Sequence, residues 1–267
     1  MGNAFFVVWR ESLEAFLIAG ILFAWLQAND DTGKGKRALF LGLGAGVGLA
    51  CLLGWALLGV QDELTGEALD LFQTATLFVA AGLITQMVLW MRKHGRTMKA
   101  RLHADLAAAA EKSGHLGVAV VAALAVAREG AETVIFLYGL AQGGELSALA
   151  FGTVTGLAVA ALTAWITAKS LAKLNIALLL RLSSILLLVL ASALLVAALD
   201  RLIGAGYLPP LLDPVWDTSL LLDDTTKGGK LIADFSGYRA RPSLSELLIW
   251  AAYWGVVLFA WRRTSRG

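Results

Sequence analysis

The sequence has few charged residues and almost no cysteine, and these shortages exclude most classes of soluble protein. Only 16% of its 267 residues are charged, whereas 58% are hydrophobic. A soluble domain has about 25% charged and about 45–50% apolar residues. The mean hydropathy of +0.72 therefore predicts an integral membrane protein. The single cysteine, Cys51, excludes an intramolecular disulfide.

Three further shortages narrow the range of possible functions. The net charge is only +2, and the basic residues lie in loops beside hydrophobic runs, so nucleic acid is not an expected partner. All three histidines lie in or beside one basic linker after Met91. The N-terminus lacks a basic segment and a small-residue cleavage site, so the first hydrophobic run is expected to be retained rather than removed as a signal peptide.

Seven hydrophobic runs are long enough to cross a bilayer. We expect an all-α integral membrane protein of seven transmembrane helices in one membrane domain, residues 1–267. The predicted spans are Asn3–Leu26, Ala38–Val60, Asp70–Met91, Leu116–Leu140, Ser147–Ala168, Ile176–Leu199 and Leu244–Trp261.

Loop charges predict the orientation. Lysine and arginine cluster in 27–37, in the linker after Met91, around Lys169, Lys173 and Arg181, and in the tail with Arg266. The short connections 61–69 and 141–146 contain acidic but no basic residues. The positive-inside rule then puts the N-terminus outside and the C-terminus inside. Segment 200–243 becomes an external loop, whose aromatic residues and leucines predict an ordered cap.

The linker after Met91 has a pattern of its own. Residues 97–112 place apolar side chains at helical spacing among charged ones. This pattern fits an amphipathic helix on the inner membrane surface as well as it fits a solvated basic linker.

Two charged motifs lie inside the first and fourth predicted spans. They read Arg10-Glu11-Ser12-Leu13-Glu14 and Arg128-Glu129-Gly130-Ala131-Glu132. A charge at the centre of a membrane helix costs about 2.5–3.5 kcal/mol, so groups that persist there are usually functional. Residues three and four apart share a helix face, so each motif presents two carboxylates on one side with an arginine one turn before the second.

The two motifs belong to an apparent internal repeat. They are 118 positions apart, and each precedes a span with glycines four apart, at Gly42 and Gly46 or at Gly152 and Gly156. Small residues at this spacing let membrane helices approach closely. Three spans per repeat is an odd number, so we expect a 3+3 inverted-topology repeat, residues 3–91 and 116–199, plus an additional helix, residues 244–261.

The carboxylates predict a binding site for a hard multivalent cation. Glu11, Glu14, Glu129 and Glu132 are the candidate metal ligands, and Arg10 and Arg128 are the supporting charges. An all-oxygen site with a formal charge of −2 suits such an ion. The alternative is a pair of structural Arg–Glu braces, which leaves the second glutamate of each motif without a partner. Gln73, Thr76, Thr85 and Gln86 in the third span fit either a path lining or helix–helix hydrogen bonds.

Acidic residues at the outer ends of the second and third spans would attract cations to the outer mouth of a permeation path. A solvated acidic loop has the same composition. These candidate mouth residues are Asp62, Glu63, Glu67 and Asp70.

Two Arg-Glu-x-x-Glu motifs in the first and fourth of seven spans resemble the oxidase-dependent iron permease family. The resemblance covers nearly the whole chain, including residues 86–91 and 213–217. It departs from the family at Ser12, where glycine is usual, and at Gln73-Thr74, where a Glu-Gly pair is expected.

The resemblance implies a non-enzymatic iron permease of the bacterial inner (cytoplasmic) membrane. The four glutamates would handle iron, as a ferric substrate and not as a permanent cofactor. It further implies a periplasmic iron-binding protein and a haem peroxidase or other iron oxidase as partners, besides membrane lipid.

The residues alone leave rival functions. One is a proton-linked exporter or exchanger of another solute that uses the same carboxylates. An intramembrane di-metal enzyme is disfavoured because no histidine lies in the spans. A structural or sensor protein would use the motifs as braces.

Overall fold

The computed structural model describes residues 2–29, 33–95, 97–142, 145–169 and 176–264. These residues form helices and connecting turns, without strands. The eight helices are α1 (Gly2–Asn29), α2 (Lys34–Glu63), α3 (Glu67–His94), α4 (Met98–Ala141), α5 (Leu146–Ala168), α6 (Ile176–Gly204), α7 (Lys227–Ser236) and α8 (Leu244–Thr264).

Each of the seven predicted runs lies within one of the seven long helices, so the predicted all-α class is confirmed. Five of these helices, α2, α3, α5, α6 and α8, are long and apolar enough to cross a membrane. The two helices with the charged motifs, α1 and α4, are not among the five. The chain is therefore a multi-pass membrane protein. Lys173 and Arg266, which were used for the orientation, lie outside the described residues.

Helix α4 contains a sharp turn that folds its first part back on the bundle. Gly114 has φ 56° and ψ −136°, a conformation that residues with a Cβ rarely adopt. The segment before it covers residues 97–112, for which the sequence left a surface helix and a solvated linker open, and it is helical from Met98. Instead of lying on lipid alone, this segment contributes the fully buried Leu106 to an apolar cluster that includes Ile18 and Leu22 of α1.

Helix α2 packs most extensively on α4, and glycine makes the approach close. A Cβ atom built on Gly46 would lie 2.7 Å from the carbonyl oxygen of Ala123 and 2.9 Å from the Cβ of Val126. Gly42 is equally tight against α4, whereas Gly44 faces nothing within 4 Å. The row formed by Gly42 and Gly46 is thus a helix–helix contact, whereas Gly44 on the same helix is not.

Helix α5 packs on α1 in the same manner. A Cβ atom built on Gly156 would lie 2.6 Å from the carbonyl oxygen of Phe5 and 3.2 Å from the Cβ of Val8. Adding 118, the spacing of the two charged motifs, to these α1 positions gives the two α4 positions that face Gly46. The α1–α5 and α2–α4 contacts therefore correspond residue by residue.

Segment 200–243 is ordered and packs on the bundle, as its composition predicts. Its helix α7 lies against α6, and the Asn3 side chain of α1 donates to the Asp234 carbonyl at 2.9 Å. Arg239 pairs with Asp200 at the end of α6. The capping box at the start of α8 also forms, because the Ser243 N–H donates to Glu246 at 2.9 Å and the Glu246 N–H donates to the Ser243 hydroxyl at 3.3 Å.

Candidate functional site

The first charged motif is buried completely at the middle of α1. Arg10 and Glu11 are 0% exposed and Glu14 is 4% exposed. Arg10 donates from Nη1 to Glu11 at 2.7 Å, and its Nη2 lies 2.6 Å from Glu14 Oε1 as an ion pair. Its two terminal nitrogens also contact the sulfurs of Met87 and Met91 in α3, at 2.8 and 3.1 Å. The arginine therefore joins both carboxylates of its own helix to α3.

The second motif has the same sequence pattern but a more open setting in α4. Arg128 Nε donates to Glu132 at 3.1 Å and lies 4.0 Å from Glu129. The Arg128 side chain is 48% exposed, and its guanidinium lies 4.7 Å from the centre of the Trp90 ring. A cation–π contact with α3 thus replaces the sulfur contacts made by Arg10.

Three of the four predicted glutamates come together between α1 and α4. One carboxylate oxygen each of Glu11, Glu14 and Glu129 lies within 4.8 Å of the other two. Metal–oxygen bonds of about 2.0–2.6 Å place the ligands of one ion at most about 4–5 Å apart, so the spacing fits a shared ion. We call these three side chains the deep carboxylate site. Glu132 is not part of this group.

Unpartnered oxygens make these carboxylates able to accept a cation. Within the described residues, the buried atoms Glu11 Oε2 and Glu132 Oε2 have no hydrogen-bond partner. A buried charged oxygen without a partner is strongly destabilising, and a bound cation would satisfy it. Structural Arg–Glu braces would leave both atoms unsatisfied.

A cavity of about 300 Å³ leads from the deep carboxylate site to the end of the bundle where α3 ends and α4 begins. The buried side chains Glu14 and Glu129 line one part of it, and residues of the α3 end and the α4 start line the rest. We call it the vestibule. The other lining residues are Ile18, Met87, Trp90, Met91, His94, Met98, Arg101, Leu102, Asp105, Ala125 and Arg128.

Glu132 faces a second cavity of about 240 Å³ on the other side of Arg128. Gln86 lines this cavity, which fits the path role considered for it. Thr85 instead shares a hydrogen bond with Tyr253 of α8 at 3.1 Å, and Thr76 bonds to the backbone of its own helix. Thr85 therefore makes a helix–helix hydrogen bond, whereas the described bond of Thr76 stays within α3.

The candidate mouth acids lie far from the deep carboxylate site. All four are exposed, at the end of α2 or in the first turn of α3. Asp70 precedes Met87 by 17 residues, about 25 Å along a helix. Tyr207 of the cap donates to Glu67. At the same end Arg201 of α6 donates to Gln73 at 2.6 Å, so this glutamine is a helix–helix contact.

Sequence reasoning missed the wall of the vestibule. Met87, Met91 and His94 stand at i, i+4 and i+7 on one face of α3, and His94 was assigned to a linker. The spacing itself could have identified a common face. The turn at Gly114, which brings the first part of α4 over that face, could not be read from the sequence.

Known proteins resemble this chain over most of its length. The model of the iron permease FTR1 family matches residues 1–262. The ferrous iron permease EfeU of Escherichia coli O157:H7 is 28% identical over 251 residues, 93% of this chain and 91% of the relative. EfeU of Shigella sonnei has the same identity and coverage. EfeU of Yersinia pestis is 32% identical over 135 residues, 50% of this chain and 48% of the relative.

No solved structure matches the chain significantly. The family match extends over both charged motifs and over the described helices up to residue 262, within α8. The chain belongs to the iron permease FTR1 family and is an iron permease of the membrane, not an enzyme.

Proposed function

We propose that this chain imports iron across the bacterial inner membrane through the deep carboxylate site. The observation that carries the proposal is the approach of Glu11, Glu14 and Glu129 from two helices to within 4.8 Å, in a buried setting. Oxygen ligands of this kind suit hard multivalent cations. Glu132, which is paired with Arg128 in the neighbouring cavity, would be a further carboxylate that an ion contacts on its way to or from this site.

The transport architecture would be seven membrane-spanning helices in two inverted halves, with α8 added. The matching contacts of Gly46 with α4 and of Gly156 with α1 support this, because equivalent helices then make equivalent contacts in both halves. Such repeats place a binding site at the interface of the halves. The deep carboxylate site lies between α1 and α4, the first helices of the two halves.

The direction of transport follows from the orientation predicted by the loop charges. With the N-terminus outside and the C-terminus inside, the vestibule opens to the cytoplasm and the mouth acids face outward. An ion gathered by Asp62, Glu63, Glu67 and Asp70 would reach the glutamates and then leave through the vestibule. Arg10 would hold the carboxylates of α1 ionised and in position while the ion changes ligands.

The substrate is iron, and the family resemblance and the names of the relatives favour different oxidation states of it. The family resemblance favours ferric iron, prepared by a periplasmic iron-binding protein and a haem peroxidase or other oxidase. The relatives from Escherichia coli and Shigella sonnei are named ferrous iron permeases. Carboxylate oxygens bind both ions, so the deep carboxylate site alone suits either.

The test is uptake of radioactive iron by bacteria that lack their own iron transporters. Wild type and Glu129→Gln are compared with ferric citrate and with ascorbate-reduced iron, each normalised to folded protein in the membrane. Glutamine keeps the shape and removes the charge. We expect uptake to fall at least about tenfold, the change that 1.4 kcal/mol of lost ion binding produces.

The matched control is Glu145→Gln, at the exposed start of α5 and away from both cavities. It should transport as wild type does. Unchanged uptake in Glu129→Gln would overturn the proposed site. Iron-independent proton flux that disappears in the same variant would instead favour the proton-linked exchanger.

A further inference from the structure

The two arginines of the charged motifs are held in different ways. Arg10 is fully buried and contacts two carboxylates and two methionine sulfurs, so it is fixed between α1 and α3. The Arg128 side chain is half-exposed, and its described contacts are two carboxylates, one of them distant, and one aromatic ring. Exposed side chains change rotamer within nanoseconds, whereas Arg10 would first have to break buried contacts. Arg128 is therefore the arginine that can move.

Arg128 stands between two carboxylates that belong to different cavities. Its Nε lies 3.1 Å from Glu132 and 4.0 Å from Glu129. Glu132 lines the second cavity and Glu129 lines the vestibule, whereas Arg128 lines both. A movement of about 1 Å toward Glu129 would bring the guanidinium within hydrogen-bond distance of that carboxylate. Arg128 can therefore pair with either glutamate.

The Trp90 ring allows this movement without loss of contact. The ring lines both cavities, and the Arg128 guanidinium lies 4.7 Å from its centre. The attraction between a cation and an aromatic face extends to about 6 Å from the ring centre. The tryptophan can therefore hold the guanidinium in both positions.

The charge of the deep carboxylate site gives the movement a driving force. Its three glutamates and Arg10 sum to a formal charge of −2, from three negative groups and one positive group. An ion that leaves the site exposes this buried charge, which is costly. Arg128 at Glu129 would offset one negative charge. Glu132 would then face a cavity of about 240 Å³, which has room for water around its carboxylate.

We propose that Arg128 is a mobile counter-charge that replaces the iron ion at Glu129 and so promotes its release into the vestibule. The proposal rests on the proposed iron transport through the deep carboxylate site. With Arg128 on Glu132, as described here, Glu129 is available to an ion. With Arg128 on Glu129, the ion has lost one of its three ligands. Arg10 holds the carboxylates in place, and Arg128 competes with the ion for one of them.

The test measures affinity and uptake separately for Arg128→Leu. Radioactive iron is offered to purified protein in lipid nanodiscs, as Fe²⁺ under anaerobic conditions and as ferric citrate, and to bacteria that lack their own iron transporters. Loss of a positive charge so close to the site should lower the dissociation constant at least about tenfold. The maximal uptake rate and the half-saturating iron concentration should both fall, because the ion enters easily and leaves slowly.

Two variants complete this comparison. Arg128→Lys keeps a mobile charge and should return both affinity and uptake toward wild type. Arg92→Leu is the matched control, because Arg92 also stacks on a tryptophan, 3.6 Å from the centre of the Trp261 ring, but lines neither cavity. It should bind and transport iron as wild type does. An affinity change as large as that of Arg128→Leu would show a general effect of lost charge and would overturn the proposal.

Glu132→Gln tests the second position of the arginine. Without its partner in the second cavity, Arg128 should stay at Glu129, and iron binding should weaken at least about tenfold because a like charge then lies beside the ion. In the Arg128→Leu background the same substitution should change the dissociation constant much less. Equal weakening in both backgrounds would show that Glu132 contacts the ion itself, and would overturn the exchange of partners.

The outcomes distinguish this proposal from the proposed function. A purely structural arginine predicts the opposite sign, since Arg128→Leu would then bind iron more weakly and need more iron for half-maximal uptake. If Glu129→Gln abolishes uptake while Arg128→Leu gives that result, or binds tightly with an undiminished maximal rate, the mobile counter-charge is wrong and the permease site stands. If Glu129→Gln transports as wild type does, or wild type neither binds nor transports iron, both proposals fail.

Discussion

At the scale of single residues, the two charged motifs show how one pattern acquires two roles. Arg10 is fully buried between two carboxylates and two sulfurs, whereas Arg128 is half-exposed over Trp90 at the junction of both cavities. Arg10 therefore stabilises the packing of α1 on α3 in addition to neutralising the carboxylates. Arg128 is placed to move, because its aromatic contact and its ion pair are both open to the cavities.

This asymmetry predicts different outcomes for the same substitution. Arg10→Leu leaves Glu11 and Glu14 buried without a counter-charge, and breaking a buried ion pair in this way costs about 3–5 kcal/mol. We expect a marked fall in folded protein and melting temperature for Arg10→Leu. Arg128→Leu should fold nearly as wild type but transport poorly. Equal losses of folded protein in the two variants, measured by fluorescence-detected size exclusion, would contradict this assignment.

The cap offers a pH-dependent contact outside the membrane spans. The Ser219 hydroxyl and N–H donate to Asp217 at 2.6 and 3.0 Å, and Arg241 pairs with Asp217 at 3.0 Å. The Ser219 hydrogen bonds, followed by Arg241, hold the pKa of Asp217 below its ordinary value. A lowered folded-state pKa gives stability that is present at neutral pH and lost as the pH falls through that pKa.

We therefore expect the cap to be cut faster by an acid-stable protease below about pH 4, the ordinary range of an aspartate. Asp217→Asn should show fast cleavage already at higher pH, because it removes the charge. Asp213→Asn, in the same loop but without a described ion pair, is the control. A wild-type cleavage rate that does not change with pH would exclude this contribution.

At the scale of helices, backbone contact through glycine holds the bundle together. Gly46 and Gly156 meet backbone atoms of the facing helix, whereas Gly44 faces open space. Valine at Gly46 or Gly156 would force the helices apart, with an overpacking cost of about 1–3 kcal/mol or more. We expect both variants to melt at lower temperature, by similar amounts.

Gly44→Val is the matched control, on the same helix and two residues from Gly46. It should melt close to wild type, because its side chain would enter open space. A loss in Gly44→Val as large as that in Gly46→Val would show that valine harms α2 wherever it stands.

The helices were predictable from the sequence because their signals are local. Long apolar runs set the seven long helices, and the Ser243–Glu246 pair marked the start of α8. The three glutamates of the deep carboxylate site were all among the four predicted from the sequence, since helical spacing groups each pair. Spacing could not show that Glu132 lines a separate cavity. That placement depends on the contact between Arg128 and the Trp90 ring of α3, which the sequence does not reveal.

The vestibule was not predictable for a physical reason. Its wall combines α3 with a segment that reverses at Gly114, and hydrophobic periodicity carries no information about the direction of a turn. The histidine was misjudged because the linker composition around it is basic and polar. Whether a side chain at a helix end faces solvent or a cavity is decided by the element that covers it.

At the scale of the whole molecule, the two ends of the bundle differ. At one end Arg201 joins α6 to Gln73 of α3 and to the Gln142 carbonyl, while the Tyr138 hydroxyl donates to Gln61 at 2.5 Å. At the other end the vestibule is open to Glu14. With the proposed orientation, this is the state in which the site communicates with the cytoplasm.

Thiol labelling tests this asymmetry. Cys51 is replaced by alanine, and Ala125→Cys puts one thiol on the vestibule wall. A membrane-impermeant reagent should react quickly in inside-out vesicles and slowly in right-side-out vesicles. Adding Arg201→Ala should raise the reaction from the outside, because it removes the contact between α3, α4 and α6. Equal reactivity from both sides of the unaltered bundle would contradict an inward-open state.

The corresponding glycine contacts also bear on how the protein is made. The main partner of α1 is α5 and the main partner of α2 is α4, so the first two helices emerge from the ribosome long before the surfaces they pack on. If α1 spans the membrane as proposed, Glu11 and Arg10 would lie there during that interval without the α3 and α4 groups that surround them later. Assembly must therefore wait for the second half of the chain, and a nascent first half would be a natural client of membrane insertion chaperones.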